Sequence, residues 1–225
     1  PLIVALDLKG RAALELAKSL DPNKCNLKVG SQLFTSEGPE VVKDLKNLGF
    51  KIFLDLKFHD IPNTITKAIE ESIGMGVWMV NIHATGGSEM MQAASKVINK
   101  TENKPLLLGV TLLTSLDKFY LKEVGLNNRI EDQVILLAKL CKNNGLDGVV
   151  CSTNEIQVLR RELGEDFIIV TPGIRSNKIP NEDQKRVSTP RKAIDLGANY
   201  IVMGREVALS KDPSKKVREI LEDIS

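Results

Sequence analysis

Short runs of aliphatic and β-branched residues alternate along this chain with longer stretches whose apolar residues recur every three or four positions. Leu2-Ile3-Val4-Ala5-Leu6 reads as a buried strand, and Arg11 to Leu20, with Ala12, Leu16 and Ala17 at helical spacing, as the helix that follows it. The pair returns as Asn26 to Val29 with Pro39 to Leu48, Ile52 to Leu56 with Pro62 to Ile73, and Val77 to Ile82 with Ser88 to Ile98. The second half continues with Leu106 to Leu112 and Ile130 to Lys142, then Gly148 to Cys151 and Glu155 to Leu163. Phe167 to Val170 with Arg191 to Leu196, and Tyr200 to Val202 with Pro213 to Leu221, complete about eight strand-helix units.

These strands are apolar on both faces, which antiparallel sheets avoid, and each is followed by the helix that a parallel crossover needs. Pro62 and Pro213 suit first helical turns, and Gly49, Gly145 and Gly197 follow periodic helices where a left-handed stop is wanted. An open doubly wound sheet fits the same count of units, but no G-x-G-x-x-G follows the first strand. No Ser-, Gly- or Pro-rich linker interrupts the alternation, so residues 1–225 read as a single domain of the α/β class, a (β/α)8 barrel.

Composition narrows the function classes. With 42% hydrophobic and 27% charged residues over 225 positions, the chain is of ordinary globular type, neither disordered nor collagen-like. A net charge of +2 and 4% aromatic residues supply neither a basic stripe nor a stacking platform, so no nucleic-acid partner is read and any anion site must be local. The longest apolar runs fall far short of the ~20 residues of a membrane-spanning helix, and no membrane partner is read. Cys25, Cys141 and Cys151 form no close pair and no signal-like segment opens the chain, which points to a reducing, cytoplasmic setting. Without metal-ligand spacing, each cysteine reads as a small buried apolar residue.

In a parallel barrel the chemistry sits at the C-terminal ends of the strands, so the informative residues are the polar ones that end each run. Asp7 ends the first and Lys28 the second. The third ends in Asp55-Leu56-Lys57-Phe58-His59-Asp60, whose Asp55 and Lys57, two apart, lie on one side of a strand. A buried ion pair is a poor device for stability, because desolvation cancels much of the Coulomb gain, so this cluster points to chemistry. With Lys28 it forms a Lys/Asp/Lys/Asp array in which surrounding carboxylates keep each lysine protonated. Thr171-Pro172-Gly173-Ile174-Arg175 ends the seventh strand and Met203-Gly204-Arg205 the eighth, the positions where barrel enzymes hold a phosphate. The segment from Ser176 to Pro190, which contains Gln184, reads as a lid over that site. His59 and His83 read as hydrogen-bonded structural histidines, and Thr114 and Ser115 as groups able to bond a polar ring edge.

Asp55-Leu56-Lys57-Phe58-His59-Asp60-Ile61-Pro62-Asn63-Thr64 closely resembles the signature of the orotidine 5′-monophosphate decarboxylase family. Val4-Ala5-Leu6-Asp7, Leu27-Lys28-Val29-Gly30, Thr111-Leu112-Leu113-Thr114-Ser115, Val170 to Arg175 and Val202 to Arg205 resemble its other blocks, in order, over almost the whole chain. The resemblance implies a barrel homodimer, without cofactor or metal, that converts orotidine 5′-monophosphate to uridine 5′-monophosphate and carbon dioxide in the last step of pyrimidine nucleotide synthesis. It implies Lys57 as proton donor to C6, Asp55 against the departing carboxylate, and Lys28 between that aspartate and the ribose. Asp60 and Thr64 are implied to reach the partner's site, Asp7 the ribose hydroxyls, and Thr114 the pyrimidine. Pro172, Arg175, Gln184, Gly204 and Arg205 are implied at the lid and phosphate end. The alternative is a magnesium-dependent sugar-phosphate enzyme of the 3-keto-gulonate 6-phosphate decarboxylase type, similar through the sparse Asp-x-Lys-x-x-Asp pattern. Those relatives carry an acidic metal ligand where this chain has Lys28, which has no lone pair to offer while protonated.

Overall fold

The computed structural model describes residues 1–114, 118–176 and 188–225. Strands β1 (Leu2–Ala5), β2 (Asn26–Gly30), β3 (Ile52–Phe58), β4 (Met79–His83), β5 (Leu106–Val110), β6 (Gly148–Val150), β7 (Ile168–Thr171) and β8 (Tyr200–Met203) pair in chain order, all parallel, and β8 returns to β1 to close a barrel. Around it lie α1 (Gly10–Lys18), α2 (Ser31–Glu37), α3 (Glu40–Asn47), α4 (Pro62–Gly74), α5 (Gly87–Ile98), α6 (Lys118–Glu123), α7 (Ile130–Asn143), α8 (Ile156–Leu163), α9 (Pro190–Asp195), α10 (Arg205–Ala208) and α11 (Pro213–Asp223).

The two-sided apolarity of the strands resolves into two cores. Residues facing outward, among them Leu2, Val4, Leu27, Val29, Leu54, Val80 and Ile82, pack under the helices. Those facing inward, Ile3, Ala5, Phe53, Met79, Leu108, Val110, Val150, Val170 and Val202, fill the barrel axis. Trp78 and Tyr200, at the N-terminal ends of β4 and β8, meet edge to face with ring centroids 5.2 Å apart and close the lower end. Gly148 permits this density, because a Cβ there would lie 2.1 Å from the carbonyl oxygen of Ile168 on β7.

The alternation read from the sequence matches the barrel, with shifts of a few residues at the ends: β1 stops at Ala5 and β5 at Val110. Three short helices are additional. α2, α6 and α10 span seven, six and four residues, too few turns to show a periodic apolar face. The expected lid lies mostly outside the described residues, as do Ser115 and Gln184.

Below the barrel a single guanidinium ties the last units together. Arg160 on α8, 9% exposed, donates to the carbonyl oxygens of Gly164, Glu165, Phe167 and Gly197 and to Oδ1 of Asn199. It therefore joins the end of α8 to the segments leading into β7 and β8. Arg160→Ala would strand these acceptors, and urea unfolding is expected to show a loss of about 3 kcal/mol.

Candidate active site

The inward face of the barrel turns polar at the C-terminal ends of β1 to β4. Lys28 on β2 is the register partner of Ala5 on β1 and Phe53 on β3, so its ammonium rises from the apolar layer towards the mouth. There its Nζ lies 3.1 Å from Oδ2 of Asp55 and 3.3 Å from Oδ1 of Asp7. The Lys57 Nζ lies 2.7 Å from the other Asp55 oxygen, Oδ1. One carboxylate thus divides its two oxygens between two ammonium groups. Gly30 makes room for the first of these, since a Cβ there would sit 3.0 Å from Nζ of Lys28.

Asp55, two residues after the inward-facing Phe53, reaches the mouth by strand alternation, but the backbone then departs from regular strand geometry before Lys57. Leu54 pairs with Val80 and Phe58 with Ile82, so three β3 residues stand opposite the single residue Asn81 of β4. Within this bulge Lys57 has φ 53°, the one positive φ of a non-glycine residue among those described, a conformation costing roughly 1–2 kcal/mol. The Lys57 N–H, displaced from the ladder, donates to Oδ1 of Asn81 at 2.8 Å, and Asn81 Nδ2 donates to Oδ1 of Asp55 at 2.7 Å. Sequence reading missed Asn81. Its signal was a polar residue inside the apolar β4 run, two before His83 and hence on the same inward face.

Burial alone would neutralise these charges, yet their mutual placement holds them. Asp55 is desolvated, but Lys28 and Lys57, with hydrogen bonds from Lys57 and Asn81, keep its pKa below the ordinary 3.8. Burial likewise penalises the Lys28 ammonium, and Asp55 and Asp7 outweigh it, raising its pKa above 10.5. His83 lies beside the cluster with its ring 5.6 Å from that of His59. Burial, followed by the nearby His59 and Lys57, lowers the His83 pKa and favours the neutral imidazole.

A cavity of about 450 Å³ opens above this array. Asp7, Lys28, Asp55, Lys57, Thr114, Pro172, Arg175, Gly204 and Arg205 all line it, over an apolar floor that includes Phe53 and Val150. Because β7 stands across the barrel from β3, Arg175 lines the cavity from the side away from Asp55 and Lys57, and Arg205 lines it from the end of the neighbouring β8. Arg175 is buried and donates to the carbonyl oxygen of Ile174. Glu206 on α10, also missed from the sequence, accepts from the Ser176 N–H at 2.9 Å and so anchors the chain leaving β7. Asp60 and Thr64 are exposed and lie outside the cavity lining, next to Ile61, whose side chain is 66% exposed. Asp60 Oδ1 accepts from the Ile61 N–H.

Over nearly its whole length the chain is similar to known proteins of one family. The family model described as Orotidine 5′-phosphate decarboxylase / HUMPS family matches residues 1–220. A protein of Neisseria meningitidis serogroup A named orotidine 5′-phosphate decarboxylase is 50% identical over 222 residues, covering 98% of this chain and 90% of the relative. One of the same name from Pseudoalteromonas translucida is 49% identical over 225 residues, covering 99% of this chain and 96% of its own. The crystal structure of orotidine 5′-phosphate decarboxylase from Lactobacillus acidophilus superposes with a TM-score of 0.89 at 37% identity, covering 100% of this chain and 99% of that one.

The depressed Asp55 pKa has a stability consequence whose sign follows from linkage. The ionised carboxylate stabilises the fold above its unfolded value near 3.8, and that contribution disappears as pH falls through its lower folded value. Asp55→Asn is expected to cost about 3 kcal/mol at neutral pH, because two ammonium groups lose their shared partner. In urea unfolding series the gap between wild type and variant should stay constant above about pH 5 and narrow below about pH 4.

Proposed function

The chain belongs to the orotidine 5′-phosphate decarboxylase / HUMPS family, and on that premise we propose that it decarboxylates orotidine 5′-monophosphate to uridine 5′-monophosphate and carbon dioxide in pyrimidine nucleotide synthesis. The observation that carries this reading is the Lys28–Asp55–Lys57 array, with contacts of 3.1 and 2.7 Å, at the floor of a cavity that Arg175 and Arg205 also line.

Breaking the bond between C6 and the carboxylate leaves an electron pair on C6 in the ring plane, where the π-system cannot spread it. The protein must stabilise that charge electrostatically. The Lys57 ammonium supplies positive charge at this point, donates its proton to C6 as carbon dioxide departs, and is re-protonated from water. The anionic Asp55 faces the substrate carboxylate, and their repulsion is relieved as the carboxylate becomes neutral carbon dioxide. The interaction with Lys57 strengthens over the same interval, so both effects favour the transition state over the bound substrate. Lys28 holds Asp55 ionised and, with Asp7, presents donors and acceptors to the ribose, while Thr114 meets the pyrimidine end.

The phosphate is assigned to the side of Arg175, Gly204 and Arg205, with Gln184 in the segment that follows β7. Forked guanidinium groups suit phosphate oxygens. Asp60 and Thr64, exposed beside the apolar Ile61, are assigned to the site of a second copy of the chain in a homodimer. Against the magnesium-dependent alternative stands the ammonium of Lys28, 3.1 Å from Asp55, which while protonated has no lone pair to offer a metal ion.

The direct test follows the ultraviolet absorbance of orotidine 5′-monophosphate mixed with the protein in excess chelator. The wild type is expected to convert it, and folded Lys57→Ala to lose roughly 10³-fold or more in turnover. Near wild-type rate in that variant would remove Lys57 from the reaction, and no conversion by folded wild type would transfer the reading to the sugar-phosphate alternative, assayed with magnesium. For the shared site, Asp60→Ala and Lys57→Ala are each expected to be nearly inactive alone. Mixed in equal amounts they should recover about a quarter of wild-type activity, because each heterodimer contains one complete site. No recovery after demonstrated subunit exchange would refute the assignment of Asp60.

A further inference from the structure

Asn81 is a polar side chain on the inward face of β4, at the boundary between the apolar barrel axis and the charged cluster of Lys28, Asp55 and Lys57. Its neighbours on that face include Met79 below it on β4 and Leu108, its register partner on β5. It is wholly buried. An amide so placed is costly unless its hydrogen bonds are made, and an aliphatic side chain of the same size would serve the barrel better. Both polar ends of Asn81 are used, and both on β3: Oδ1 accepts from the Lys57 backbone N–H at 2.8 Å and Nδ2 donates to Asp55 Oδ1 at 2.7 Å.

These two bonds close the β3 bulge. Between the pairs Leu54 with Val80 and Phe58 with Ile82, β3 spends Asp55, Leu56 and Lys57 against Asn81 alone. The backbone of Lys57 is left without a ladder partner in a left-handed conformation that lysine avoids. We propose that Asn81 is a positioning residue for the decarboxylation, its side-chain amide replacing the missing ladder partner of Lys57 while orienting the Asp55 carboxylate towards the Lys57 ammonium. One amide thereby fixes both members of the reacting pair to the rigid β4 strand. The inference rests on the proposed decarboxylase reading for its kinetic arm and on geometry alone for its structural arm.

Two variants separate positioning from folding. Asn81→Leu keeps the branched shape and the number of heavy atoms and removes both bonds. Asn81→Asp keeps the acceptor for the Lys57 N–H and supplies a donor to Asp55 only while the new carboxyl is protonated. The charged and titratable groups around Asp55 are Asp7, Lys28, Lys57 and His83, with His59 behind His83, and all are unchanged in both variants. Asn81→Leu is expected to lower kcat by about 10²-fold with KM altered less than about threefold, because misplacement of a reacting group acts on the chemical step. Asn81→Asp should either be comparably slow throughout or lose activity as pH rises, over a range where the wild-type rate is flat. Wild-type kcat and pH profile in folded Asn81→Asp would overturn the proposal, and that comparison stands even where Asn81→Leu fails to fold. A crystal structure of Asn81→Asp at high pH, where the added carboxyl is ionised, supplies the structural arm. Asp55 turned away from Lys57 is the expected result, and an unchanged Lys57–Asp55 contact overturns the proposal even when the wild type proves inactive on orotidine 5′-monophosphate.

Discussion

A carboxylate has to remain ionised while almost fully enclosed by protein, and much of the upper barrel is arranged around that requirement. Asp55 is 8% exposed, and its charge is held by Lys28 on one oxygen and by Lys57 and Asn81 on the other. Lys28 in turn leans on Asp7, and Gly30 stays small so that the ammonium has room. The result is a set of opposite charges with little net field, in which each group is polarised by its neighbours and little reorganisation remains for the moment of reaction.

The barrel itself was legible in the sequence because burial on two faces leaves an unusual trace, short apolar strands without alternation, and parallel closure demands the helices between them. Asp7, Lys28, Asp55 and Lys57 were legible for the same reason: a charge that ends an apolar run has nowhere to point but the mouth. Asn81 escaped notice because its role depends on a backbone N–H that becomes an orphan only through the bulge, and no glycine marks the left-handed turn at Lys57. α2 was hidden by having Leu33 as its only buried residue. Asp60 and Thr64 belong to a legible motif, yet both are exposed and neither lines the cavity of this chain.

Under the proposed function, the cavity separates recognition from chemistry by the width of a barrel. Arg175 leaves β7, across from β3, and Arg205 leaves the neighbouring β8, so under the proposed function binding energy gained from the phosphate on that side is delivered through the substrate to the charged array. Glu206 ties the strand-leaving segment at Ser176 to α10, placing the start of the β7–α9 connection under the control of the same side. Binding remote from the reacting carbon is then convertible into position at that carbon.

The floor beneath the site is sealed. Phe53, Met79, Leu108 and Val170 are buried in the barrel axis, and below them Trp78 and Tyr200 stopper the lower end. The barrel is therefore a well and not a tube. Under the proposed reaction, a nucleotide and a gas are made at the bottom of a vessel with its mouth on the strand-end side, and both must clear that mouth before the next substrate descends. Emptying the well becomes a step of the catalytic cycle in its own right, separate from the chemistry at its base.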